Sequence, residues 1–104
     1  MTLEEAKKHT SNTRGNGWLP LVDEVFNKLD NKFIITQVFQ KWGELWFDFK
    51  PYDEDFDTYL ESIAEKSKNI CSICGDNADE KIINGWVVSL CNNPSCAKEY
   101  SELD

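Results

Sequence analysis

At 104 residues and a net charge of −8, the chain holds one domain, or one domain with a small appended module. Eleven Lys and Arg against 19 Asp and Glu argue against the cationic surface with which a nucleic-acid binder displaces counterions. They point instead to solubility or to a basic partner. Met1–Thr10 is polar where a signal peptide would be apolar, and the longest apolar runs are too short to span a membrane. The expectation is therefore a cytoplasmic protein, in surroundings that disfavour structural disulfides.

The charge is uneven. Acids and bases cancel over residues 1–32, and the acidic surplus lies in residues 33–104. Residues 1–16 read as a flexible or short helical segment: Thr2 and Glu5 are spaced as a capping box at the head of 2–9, and the Gly/Asn/Ser/Thr-rich stretch 10–17 reads as loop. From Trp18 the sequence is organised. Trp18, Leu21, Val22, Val25, Phe26 and Leu29 recur at helical spacing, with Pro20 near the first turn. The β-branched and aromatic run 33–40 and the alternating Leu45, Phe47 and Phe49 predict two strands of an antiparallel hairpin turning at Gly43. Residues 53–68 then place Phe56, Tyr59, Leu60, Ile63 and Ala64 on one helical face. Asp53, Glu54, Asp55 and Asp57 crowd its first turn, where carboxylates cap free N–H groups and complement the helix dipole; the same acids are candidate partner-binding residues.

The four cysteines fall in residues 71–96 as two close pairs, Cys71-x-x-Cys74-Gly75 and Cys91-x-x-x-x-Cys96. Between them Ile82-Ile83 and Val87-Val88 flank Asn84-Gly85, the signature of a tight hairpin. Such a hairpin folds the two pairs onto one point. A disulfide framework, a redox dithiol and a metal cage compete for this pattern. The compartment disfavours the first, and the second needs a single pair opening a helix. The expectation is a structural four-cysteine zinc site (Cys71, Cys74, Cys91, Cys96) of zinc-ribbon or treble-clef type, with Cys96 at the head of a helical turn in 97–103. The spacing is similar to that of GATA-type fingers, but only Lys81 and Lys98 accompany six acids over 70–104, so DNA reading does not carry over.

The predicted fold class is α+β: two amphipathic helices on a small antiparallel sheet (17–69), with a zinc-binding module (70–104) packed on that core. Certain signposts resemble those of an uncharacterised family of small phage and prophage proteins. They are Gly17-Trp18-x-Pro20-Leu21, Gln37-Val38-x-x-Lys41-Trp42-Gly43-x-Leu45-x-Phe47 and Ile63-Ala64-Glu65-x-Ser67, then Cys71-x-x-Cys74-Gly75 and Gly85-Trp86-x-x-x-Leu90-Cys91. Relatives often carry Phe at the position of Trp42, a basic residue at Trp46, and His in place of Cys96. The resemblance implies a phage-encoded cytoplasmic protein with a zinc-stabilised fold, and implies no activity.

No catalytic constellation is legible, and His9, the sole histidine, stands apart from the cysteines. Trp42 at the hairpin tip and Trp46 on the outer strand face form a candidate interface patch, unless the zinc module or helix 53–68 covers Trp46. Trp18 and Trp86, each beside a Gly turn, read as core. The leading functional expectation is a non-enzymatic protein that binds or inhibits a host defence or nucleic-acid-processing protein, one form of it an acidic DNA mimic. The alternative is a nucleic-acid-binding finger using Lys81, Lys98 and an exposed Trp. The sequence does not choose between a monomer and a homodimer.

Overall fold

The structure, a computed structural model, describes residues 1–101; the end of the helical turn expected over 97–103 lies outside them. The class is α+β, with four helices and two two-stranded antiparallel sheets among the described residues. Helix α1 (Leu3–Asn12) opens on the expected capping box, in which Thr2 Oγ1 accepts from the Glu5 N–H and Glu5 accepts from the Thr2 N–H. It runs further than the composition of 10–17 suggests. Thr10 is buried and turns its hydroxyl back onto the Ala6 carbonyl, at 2.8 Å, so a residue read as loop is satisfied within the helix. Ala6 is fully buried, and the Met1 ammonium donates to the Ile35 carbonyl at 3.0 Å.

After a short 3-10 turn at Asn16–Trp18, α2 (Leu19–Lys28) carries Pro20 in its first turn, where a missing N–H costs nothing. Strands β1 (Ile34–Lys41) and β2 (Glu44–Lys50) pair in a register that leaves Trp42-Gly43 as a two-residue turn. Their inward residues Ile35, Val38, Leu45 and Phe47 are buried. Helix α3 (Glu54–Ser67) is capped by Asp53, whose carboxylate accepts the Phe56 N–H at 2.9 Å. The helices lying directly along the sheet are α1 on β1 and α3 on β2, while α2 packs against both. Phe33, Phe49 and Phe56 interlock edge-on and stacked at the open end of the hairpin.

A second small core surrounds the cysteines: Cys71, Ala78, Val88, Leu90, Cys91 and Cys96, flanked by Ile73 and Ile83. It is built on β3 (Asp79–Ile83), β4 (Trp86–Leu90) and α4 (Pro94–Ser101). The two cores meet at a tight joint. Gly17 donates its N–H to the Ser72 carbonyl at 2.7 Å, and the Trp18 indole N–H donates to the carbonyls of Ile70 (2.9 Å) and Ser67 (3.2 Å). Ser67 is itself buried, donating to the Ala64 carbonyl and accepting the Leu45 N–H at 2.8 Å. On the other side of the joint the Ser89 hydroxyl donates to the Gly43 carbonyl at 2.6 Å.

Candidate functional site

The knuckle Cys71–Gly75 turns on Gly75, whose φ of +87° suits glycine and strains other residues. Its N–H donates to the Cys71 carbonyl at 2.9 Å. Hairpin β3–β4 returns the chain through Asn84-Gly85, both in the left-handed region. It delivers Cys91 one residue past the end of β4 and Cys96 into the first turn of α4. The four sulfurs lie within 4.8 Å of one another. Cys91 Sγ stands 3.6 Å from both Cys74 Sγ and Cys96 Sγ. None of the four is in a disulfide, whose sulfurs would be about 2.05 Å apart. Thiolates about 2.3 Å from a tetrahedral metal ion stand about 3.8 Å from one another, so the spacing fits a cage able to hold a metal ion.

The electrostatics of the cage call for a cation. Burial opposes a Cys71 thiolate, but hydrogen bonds from the backbone of Cys74, Cys91 and Ile73 outweigh it and draw the thiol down to about 7. At Cys74 the Asp76 backbone favours the thiolate, yet desolvation and the sulfurs of Cys71 and Cys91 raise the thiol. Cys96 is pushed up strongly, first by burial and then by the neighbouring sulfurs. One negative charge is accommodated by backbone donors, and a full set of four needs a positive ion at the centre. Lys81, a candidate nucleic-acid contact by its charge, is tied to the cage: its ammonium donates to the Cys91 carbonyl (2.8 Å) and to Asn92 Oδ1 (3.0 Å).

The remaining candidate residues do not form one patch. Trp42 is 66% exposed at the tip of hairpin β1–β2. Asp53, Glu54, Asp55 and Asp57 begin α3 just beyond the hairpin's open end, with Glu54 and Asp55 exposed and the other two half-buried. Seven residue steps of strand separate tip from open end, about 23 Å. Trp46 is half-buried, facing Phe39 across the ladder. His9 is exposed on α1 and, among the described residues, belongs to no ligand cluster.

Two aromatics depart from expectation or escaped it. Trp86, read as core, is 73% exposed. By alternation it shares a strand face with the buried Val88 and Leu90, but it stands at the turn, beyond the small core that covers them. Tyr52, not singled out from sequence, is also 73% exposed. Its ring stacks on Phe49 with centroids 6.3 Å apart. Its hydroxyl is raised by desolvation and by the charges of Asp57, Glu54, Glu61 and Asp53 around it. The signal was available in a lone aromatic between Pro51 and an acidic run. Among the described residues no helix is long and apolar enough to cross a membrane.

Comparison with protein-family models, curated proteins and solved structures finds no match to this chain.

Proposed function

We propose that this chain is a non-enzymatic, zinc-stabilised protein of phage type that works in the cytoplasm by protein–protein interaction, binding or inhibiting a host defence or nucleic-acid-processing protein. Zinc is the ion that four thiolates at tetrahedral spacing favour over hard cations such as Mg²⁺ or Ca²⁺. Four protein ligands leave it no open coordination position, so its work is to hold the fold. Metal analysis of the purified protein should return one zinc per chain, and thiol titration should find no S–S bond.

The observation that carries the interaction reading is the exposed Tyr52, propped on Phe49 and ringed by Asp53, Glu54, Asp57 and Glu61. A rigid, amphipathic ring is a frequent anchor of protein interfaces, and the carboxylates around it complement a basic partner and steer its approach. In one form of this reading they stand in for DNA phosphates on a nucleic-acid enzyme. The test is capture from host lysate by the zinc-loaded protein and by Tyr52→Ala and Glu54→Lys variants. One host protein retained near stoichiometry by the wild type and lost with both variants supports the reading. No retained protein, or equal retention by the variants, overturns it.

A further inference from the structure

The opposite end of hairpin β1–β2 has a different chemistry. The tips of the two hairpins and the end of α1 enclose a groove of about 760 Å³, within the size range of small-ligand sites. Trp42 and Trp86, from the two tips, both line it, and so do Arg14 and Lys41. In a chain of net charge −8, no lining residue among those described is acidic.

The backbone points to the same place. Among the described residues three non-glycine side chains have positive φ: Arg14 (+64°), Trp42 (+57°) and Asn84 (+52°). All three line this groove. Such conformations are routine for Asn in a hairpin turn but strained for Arg and Trp, and strained positions gather at ligand clamps. The two hairpin turns make the point within one chain. Both are two-residue turns with two positive φ values. The second is Asn84-Gly85, the sequence this turn favours. The first is Trp42-Gly43, which places an indole where Asn would relax the backbone. Turn geometry does not account for that indole; a flat ligand does.

We infer that this groove is a nucleotide-binding site, in which the indoles of Trp42 and Trp86 stack on a base while Arg14 and Lys41 meet the phosphate. Indole faces accept any base, and a guanidinium and an ammonium nearby supply the complement for phosphate. The ligand is a nucleotide unit, free or within a single strand. It lies at the other end of the hairpin from Tyr52, so its failure would leave the protein-partner reading standing.

The experiment is titration of the zinc-loaded protein with the four ribonucleoside monophosphates and a short oligothymidylate, followed by tryptophan fluorescence and calorimetry. Saturable binding is expected. Trp42→Asn and Trp86→Ser should each weaken it about tenfold or more while unfolding within a few degrees of wild type. Arg14→Gln and Lys41→Gln should weaken it and flatten its salt dependence. Tighter binding of the oligonucleotide than of any monophosphate would assign the site to a single strand, and equal or tighter monophosphate binding would assign it to a free nucleotide. No binding up to about 1 mM, or binding indifferent to both tryptophan variants, would overturn the inference.

Discussion

Gly17 should be the least replaceable glycine in the chain. Its backbone is not in the positive-φ region, so by conformational entropy alone Gly17→Ala would stabilise the protein by about 0.4–1 kcal/mol. The surroundings reverse that sign. An added Cβ would lie 1.9 Å from the Cys71 carbonyl oxygen and 2.5 Å from the Gly75 nitrogen, both backbone atoms of the knuckle. Ordinary contact begins at 3.4 Å, so the joint must open by about 1.5 Å. That opening breaks the Gly17 N–H bond to Ser72 (2.7 Å) and the Trp18 indole bond to Ile70 (2.9 Å). Two hydrogen bonds at about 1 kcal/mol each and overpacking of about 1–3 kcal/mol give a loss of roughly 3–5 kcal/mol. Urea unfolding of the metal-loaded protein measures it as a lower midpoint at unchanged slope, and chelator competition should show weaker metal binding because the knuckle has moved. A Gly17→Ala protein as stable as wild type, or more so, would refute the joint as described.

Removal of the metal by a strong chelator should unravel residues 71–96, since structural zinc contributes about 10–16 kcal/mol in small domains; hydrogen exchange should then be fast in β3 and β4 while α2 and α3 stay protected. Metal uptake at pH 7 should release protons, because thiols in the unravelled, metal-free segment, with an ordinary pKa of about 8.5, are mostly protonated there and bind the metal as thiolates. Affinity therefore rises with pH, and calorimetry in buffers of different ionisation enthalpy counts the protons; uptake without proton release would contradict thiolate ligation. Ser67→Ala should cost about 1–3 kcal/mol in thermal or urea unfolding, because it strands the Leu45 N–H in the core.

The parts of the molecule that sequence makes plain are those governed by local chemistry. Thr2 with Glu5, Pro20, the Asp53 cap and Asn84-Gly85 each set an element boundary within a few residues of themselves. The cysteine cage was legible because two knuckle-sized spacings joined by a hairpin leave little freedom in where the sulfurs go. Burial at hairpin tips is another matter. Trp86 follows the strand alternation that buries Val88, yet it projects past the core, because the length of a small module, unlike its period, is not written in any single residue. Thr10 went unread for a similar reason: its polarity suggests loop, but a hydroxyl bonded to the preceding turn buries as readily as an apolar group.

The groove could not have been read at all, since Arg14, Trp42 and Trp86 meet only because the two hairpins are fastened side by side. The fastening is small. Gly43 lies so close to β4 that a Cβ there would sit 3.1 Å from the Val88 carbonyl carbon, and the Ser89 hydroxyl donates to the Gly43 carbonyl at 2.6 Å. Ser89→Ala removes this tie at a residue that is neither one of the cysteines nor part of the groove lining. It should cost about 1 kcal/mol, up to about 3 because the buried carbonyl loses its donor. The larger effect should be local. Backbone amides at the tip of hairpin β1–β2 should exchange faster relative to those of α3, since an element held by fewer buried contacts opens at lower free energy. Site-resolved hydrogen exchange separates this from a general loss of stability, which would accelerate α3 as well. Unchanged exchange at Trp42 and Gly43 would mean that backbone apposition alone holds the hairpins together, and that the groove's shape does not depend on Ser89.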